Sequence, residues 1–294
     1  MKVMLTGAAG QVGRAVQALT PAGVQLRALD RTALDISDAQ AVQHEVTRFA
    51  PDVIINAAAY TAVDRAESEP VLAGAINAAA PGYLAGAASS LPGCRLVHVS
   101  TDYVFDGAAD HPYSPRDVPR PLSIYGRSKL AGETAVLERL RERATVLRSA
   151  WVYAAQGRNF MLTMLRLMRE HGAVRVVADQ KGNPTAAAAI AEALWRIATR
   201  PEVHGVLHWT DAGVTSWYEF ACAIAEEGAA LGLVGGAIAV HPISIAEYPT
   251  AARRPANSAL DCSETSALLD LTPTPWRSRL RATLAALAVV PVRQ

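Results

Sequence analysis

The stretch Gly7-Ala8-Ala9-Gly10-Gln11-Val12-Gly13 directly follows the apolar run KVMLT (2–6) and opens a helical window. This is the strongest single constraint on the fold. Glycines at this spacing let the chain turn sharply off a strand, bring bare backbone close to a ligand, and aim a helix N-terminus at its negative charge. The order is G-x-x-G-x-x-G rather than G-x-G-x-x-G. Gly7, Gly10 and Gly13 therefore read either as a pyrophosphate-binding turn or as a glycine-rich turn with no ligand. Asp30 closes the second apolar run, 17 residues after Gly13. That is near the separation of about 20 expected for a carboxylate on the adenosine ribose. Arg31 follows and suits a 2′-phosphate instead, so NADH and NADPH both remain open. Asp35-Ile36 reads as an adenine-side contact, or Asp35 as an ordinary helix N-cap.

The first half of the chain alternates β-type runs with helical windows. The runs are KVMLT (2–6), VQLRAL (24–29), DVIINAA (52–58), RLVHVS (95–100) and TVLRSA (145–150); the windows lie near 11–20, 38–49, 70–90 and 126–142. Such alternation predicts βαβ units, a parallel sheet and right-handed crossovers. After residue 150 the pattern loosens, with strands expected at 174–178 and 205–209 and helices at 185–199 and 216–231. The expected architecture is α/β. Residues 1–150 form a Rossmann-type, doubly wound dinucleotide-binding domain. Residues 151–294 form a smaller, mixed substrate-binding lobe, some of whose segments return to the sheet.

The net charge of +1 over 294 residues carries no electrostatic footprint for nucleic acid or an anionic membrane. No apolar run reaches the roughly 18 residues of a membrane span, and MKVMLTGAAG lacks the apolar segment of a secretion signal. A cytoplasmic location is expected. Cys94, Cys222 and Cys262 are far apart and outside any CxxC pattern, which favours reduced, unligated thiols. Lysine is scarce: Lys2, Lys129 and Lys181 are the only ones.

Tyr125 and Lys129 stand four apart at the start of a helical window, which puts both on one face, a turn apart. Alone, the pair reads more readily as a packed tyrosine beside a solvated lysine. Downstream of a dinucleotide loop it suits ketone reduction, where the alkoxide needs a proton from a tuned acid. An ammonium ~5 Å from the phenolate is worth roughly 3 kcal/mol at an effective dielectric near 20. That predicts a tyrosine pKa lowered by about two units. Upstream, Val99-Ser100-Thr101-Asp102-Tyr103 puts small polar residues where a buried strand should end, at the sheet edge where such folds bind ligands.

These segments resemble the extended short-chain dehydrogenase/reductase superfamily and, within it, the dTDP-4-dehydrorhamnose reductases. The resemblance runs through GAAGQVG (7–13), INAAAYTAVDRAESEP (55–70), STDYVFDG (100–107), YGRSKLAGE (125–133), RSAWVYAAQGRNF (148–160), DQKGNPT (179–185), SWYEFA (216–221) and RRPANS (253–258). It implies reduction, by NADH or NADPH, of the C4 ketone of a dTDP-linked 6-deoxy-L-hexose. By position, Tyr125 is the proton donor, Lys129 tunes it and binds the ribose, and Thr101 bonds near the carbonyl. Gly10, Gln11 and Val12 face the pyrophosphate, and Ala57, Ala58 and Ala59 leave room for the cofactor. Trp151 packs against the sugar, with Asp102 a further substrate contact. Asn159, Gln180 and Arg254 are further substrate-side candidates. Arg254 would pair with the diphosphate; loop hydrogen bonding or a structural ion pair accounts for these three equally well. Some members dimerise around Mg²⁺ through an acidic residue early in the first helix. Ala15 holds that position here, beside Arg14, so no structural metal is expected and any homodimer would not be metal-linked.

The rival readings are a dehydratase, a 4-epimerase and a non-catalytic regulatory subunit. The related dehydratases use an Asp-Glu pair directly after the Ser/Thr, and this chain has Asp102-Tyr103. The epimerase is disfavoured by the second-lobe segments. A regulatory subunit need not retain Thr101, Tyr125 and Lys129.

Overall fold

In β1 (Lys2–Thr6), Val3 and Leu5 face one side and Met4 the other, and all three are fully buried. Beyond β2 (Gln25–Leu29), the strand β3 (Val53–Asn56) repeats the pattern, with Val53 and Ile55 on the first face and Ile54 on the second. In β4 (Arg95–Thr101), Leu96 and Val97 divide in the same way. Strands that are apolar on both faces require cover on both sides, which parallel βαβ connections supply. In the computed structural model, which describes residues 1–236 and 238–289, these strands join β5 (Ala144–Ser149) and Gly205–His208 in one parallel sheet. The strand order is β2-β1-β3-β4-β5, with Gly205–His208 outside β5. Residues 237 and 290–294, the latter the end of the expected second lobe, lie outside the described residues.

One face is covered by α1 (Gln11–Ala18) and by a later helix, Ala187–Ala198, through Val16, Ile190 and Leu194. Trp195 Nε1 donates to the Val16 carbonyl at 2.9 Å and fastens the two helices. The other face is covered by α2 (Ala39–Phe49) and by two helices, Ala80–Ser89 and Ile124–Leu140, through Val42, Val46, Leu84 and Val136. A separate core forms after β5, where Phe160–His171, Trp217–Ala230 and Trp276–Val289 pack around Met161, Leu165, Phe220 and Leu280. Beside it, Ala173–Val177 pairs in parallel with Ala239–Ile243.

Two local expectations change. The helix expected over 70–90 contains a π-helical turn, Ala75–Ala79, between Pro70–Gly74 and Ala80–Ser89. Pro81 has no N–H to offer the Asn77 carbonyl, so the regular ladder is broken there. The α2 helix is capped by Asp38, whose carboxylate accepts from the N–H groups of Gln40 and Ala41, and not by Asp35. The segment Pro70–Ser89 is 20 residues long and apolar enough, by length and composition alone, to cross a membrane. In the fold its Ala73, Ala80, Leu84 and Ala88 are fully buried.

Ile54 is fully buried in the middle of the sheet. Ile54→Ala is expected to lower unfolding stability by about 2–5 kcal/mol, because the strands and helices around it cannot collapse into the gap. Urea titration followed by far-UV circular dichroism measures the loss.

Candidate active site

A cleft of about 1010 Å³ opens at the C-terminal ends of β1, β3 and β4. This is the crevice at the point where the strand order reverses between β1 and β3, the place where ligands bind open parallel sheets.

At one end lies the glycine loop. Gly7 has φ 76°, and a Cβ there would sit 2.5 Å from the Ala58 nitrogen. A Cβ on Gly13 would sit 2.2 Å from the Gly7 carbonyl oxygen. The loop is therefore folded on itself as tightly as bare backbone permits. Gly10 caps α1 without any side-chain hydrogen bond. Gly10, Gln11, Val12, Ala57 and Ala59 line the cleft, whereas Ala58 packs against the α2-side core. Gln11 Oε1 accepts from Asn159 Nδ2 at 2.7 Å, tying the loop to the N-cap of helix Phe160–His171.

The residues after β2 lie away from the cleft wall. Asp30 Oδ1 accepts from the Thr32 hydroxyl at 2.7 Å and from the N–H groups of Thr32 and Ala33. The Thr32 hydroxyl and the two N–H bonds hold the Asp30 carboxyl below its ordinary value. Arg31 is exposed. Asp35 is engaged by Ser37, whose hydroxyl and N–H both donate to it. The Ile36 side chain is buried in the core with Leu34 and Val42.

At the other end, β4 and helix Ile124–Leu140 converge. The helix begins at Ser123, whose hydroxyl accepts from the Gly126 N–H at 3.1 Å. A Cβ on Gly126 would lie 2.2 Å from the Tyr103 carbonyl oxygen, so the helix meets the end of β4 backbone to backbone. This contact brings Thr101, Tyr125 and Lys129 to one cleft wall. The Thr101 hydroxyl donates to Asp102 Oδ1 at 2.9 Å and accepts from the Tyr103 N–H at 3.2 Å. Lys129 is only 2% exposed. Its Nζ donates to the Val99 carbonyl at 2.7 Å and stands 3.4 Å from His98 Nε2.

The electrostatics depart from the sequence expectation. Burial pushes the Tyr125 phenol up to about 12, with the Thr101 hydroxyl pulling the other way and the Asp102 carboxylate adding to the rise. The downward pull expected from the ammonium is absent: Lys129 is not among the groups that move the phenol, and burial sets the sign. Burial also draws Lys129 down to about 8 against the attraction of Glu133. Asp102 is raised to about 6 by burial, opposed by hydrogen bonds, and its Oδ2 has no partner among the described residues.

The opposite wall comes from residues after 150. Trp151 has φ 46°, an uncommon conformation for a bulky residue. Its indole stacks on Trp217 at 3.5 Å between centroids, and a Cβ on Gly182 would collide with it at 2.5 Å. Gln180 is buried in the same wall. Arg254 lines the cleft and bonds Asp64 Oδ2 at 2.7 Å, while its Nε has no partner among the described residues. Asn159 bonds Gln11 and is not among the residues that line the cleft. Trp217, Phe160, Arg158 and Tyr248 line it too and were not singled out from sequence. For Trp217 a signal existed: Ser216 and Glu219 spell a capping box, which the structure forms, and so place the indole at a helix start. Among the described residues no group of three or more His, Cys, Asp or Glu side chains is arranged to hold a metal ion.

Fold and cleft together define a Rossmann-type oxidoreductase of the extended short-chain dehydrogenase/reductase kind. The family model described as RmlD substrate binding domain matches residues 1–289. The dTDP-4-dehydrorhamnose reductase of Sinorhizobium fredii is 41% identical over 98% of this chain and 98% of its own length. That of Mycobacterium tuberculosis is 44% identical over 97% of this chain and 93% of its own. Among solved structures, a dTDP-4-dehydrorhamnose reductase from Bacillus anthracis in complex with NADP superposes with a TM-score of 0.89. It is 35% identical and covers 97% of this chain and 99% of its own. The chain belongs to the dTDP-4-dehydrorhamnose reductase family.

The loop geometry yields a direct test. Gly13→Ala is expected to weaken dinucleotide binding tenfold or more, because its Cβ must displace the Gly7 carbonyl. Gly86→Ala, with nothing within 4 Å of the added carbon, should leave binding unchanged. Fluorescence titration with NADPH and NADH reads both.

Proposed function

We propose that this chain reduces the C4 ketone of dTDP-4-dehydro-L-rhamnose to dTDP-L-rhamnose, with NADPH or NADH as reductant. The observation that carries the reading is the pairing, in one cleft, of the self-packed glycine loop with the Thr101–Tyr125–Lys129 wall. The loop suits a dinucleotide pyrophosphate: its backbone is bare, its helix N-terminus is not capped by a side chain, and any Cβ at Gly7 or Gly13 would fill the turn. Gly10, Gln11 and Val12 would hold the pyrophosphate, and Asp30 and Arg31 would meet the adenosine ribose. When bound, the dinucleotide supplies the hydride.

The chain itself handles the oxygen and the proton. Thr101 orients the carbonyl oxygen beside Tyr125. A phenol with a pKa of about 12 is fully protonated at neutral pH and still far more acidic than the alcohol formed, so it can give its proton to the developing alkoxide. Lys129 then stabilises the phenolate left behind. Residues after 150 supply the sugar-nucleotide side: Trp151 and Trp217 offer an aromatic face, and Arg254 a guanidinium for the diphosphate. Tyr103 occupies the position where elimination would need a carboxylate. Burial raises its phenol well above the ordinary value, so it remains neutral and cannot act as that base.

Tyr125→Phe is expected to lower kcat by about 10²–10⁴-fold, the usual contribution of a general acid. Oxidation of NAD(P)H in the presence of the sugar nucleotide measures it, and undiminished turnover would contradict the role. The pH profile follows from Lys129. Its charge is present below about 8 and lost above, while Tyr125 stays protonated on both sides. The reduction rate should therefore hold at neutral pH and fall as pH rises through about 8.

A further inference from the structure

A buried chain of polar side chains runs under the cleft from the glycine loop to Lys129. Thr6, Asn56 and His98 lie side by side on β1, β3 and β4, and each is 1% exposed or less. The Thr6 hydroxyl donates to Asn56 Oδ1 at 2.7 Å, and the Ala58 N–H donates to the same oxygen at 3.1 Å. A backbone N–H is a donor only, so Asn56 has its oxygen on this side and its amide nitrogen facing His98. That nitrogen lies 3.0 Å from His98 Nδ1 and, as a donor, requires a bare lone pair there. A neutral imidazole with a bare Nδ1 carries its proton on Nε2, the atom 3.4 Å from Lys129 Nζ. Full burial, followed by the charge of Lys129, keeps the ring neutral.

We propose that His98 is a positioning residue for Lys129: the Thr6–Asn56 pair locks the imidazole so that its Nε2–H points at the lysine nitrogen. An ammonium has no lone pair and meets this N–H donor to donor. An amine accepts it. The ring thus disfavours the charged lysine and sets where it titrates, while the Val99 carbonyl accepts from either form.

Other groups face the same nitrogen. Glu133, on the lysine's own helix, attracts the ammonium, but Arg148 of β5 grips it at 2.6 Å and Ser100 of β4 bonds it. Tyr125 on the same helix and Asp102 at the end of β4 stand on the cleft side. Of these neighbours, His98 is the one whose donor–acceptor sense is dictated from another strand. The inference takes the Lys129 charge to matter for reduction, as proposed above, but its test needs no turnover.

With three lysines in the chain, ¹³C-lysine labelling isolates the Lys129 resonance, assigned by its loss in Lys129→Met. Long-range ¹H–¹⁵N correlation should show His98 protonated on Nε2 and bare on Nδ1. In His98→Gln, whose amide oxygen can turn to the ammonium, Lys129 should bind its proton about tenfold more tightly, moving its titration up by about one pH unit. Asn56→Asp forces the proton to Nδ1 and should move it the same way, which keeps the test open if one variant does not fold. A proton found on Nδ1 in the unaltered protein would overturn the proposal. So would a Lys129 titration that is unmoved in the folded variants. Failure of sugar reduction with these spectra as expected would instead count against the proposed activity alone.

Discussion

Everything at this site depends on holding one lysine out of water. Lys129 Nζ is fastened to the Val99 carbonyl at 2.7 Å, and that short bond fixes helix Ile124–Leu140 against β4. Two glycines make the approach possible. A Cβ on Gly126 would strike the Tyr103 carbonyl, and one on Gly132 would lie 2.1 Å from the Asn77 carbonyl. The second carbonyl is the one freed of its helical partner by Pro81. A departure from regular helix in one element thus provides the seat for another. Asn77 completes the seat: its amide bonds the backbone of Tyr60 on both sides and the Ser128 hydroxyl, joining the loop after β3 to the helix that carries Tyr125.

That rigidity has an electrostatic cost at both ionisable members of the pair. Burial works against the phenolate and against the ammonium alike, so the tyrosine is driven up and the lysine down. Beneath them, the bidentate Glu133–Arg148 pair is itself almost wholly buried, and the Arg148 guanidinium lies over the Phe105 ring at 5.1 Å. Such a pair is costly to bury and costly to break. Its place behind Ser100 holds β4, β5 and the lysine-bearing helix in one arrangement. A raised tyrosine pKa suits reduction, in which the phenol starts protonated and the oxygen it serves becomes strongly basic.

Much of the fold was legible because apolar alternation and glycine spacing are local signals. Val3, Met4 and Leu5 announce a strand covered on both faces, and Gly7, Gly10 and Gly13 announce the turn after it. The Tyr125–Lys129 spacing likewise survives unchanged, since it depends only on helical pitch. What was not legible depends on three-dimensional surroundings. The sign of the Tyr125 shift is set by burial, which spacing does not reveal. The core placement of Ile36 depends on how α2 docks. The Asp64 partner of Arg254 lies far away in sequence, and the stack of Trp217 on Trp151 joins segments that no periodicity links.

In the proposed reaction this cleft moves a hydride to a sugar carbon and a proton, through Tyr125, to its oxygen. The most direct measurement uses NADPH deuterated at the transferable position and follows the product of dTDP-4-dehydro-L-rhamnose by NMR. The account predicts deuterium bound at C4 of the sugar, one label per nicotinamide oxidised. A sugar that is altered while the label stays on the nicotinamide would contradict it.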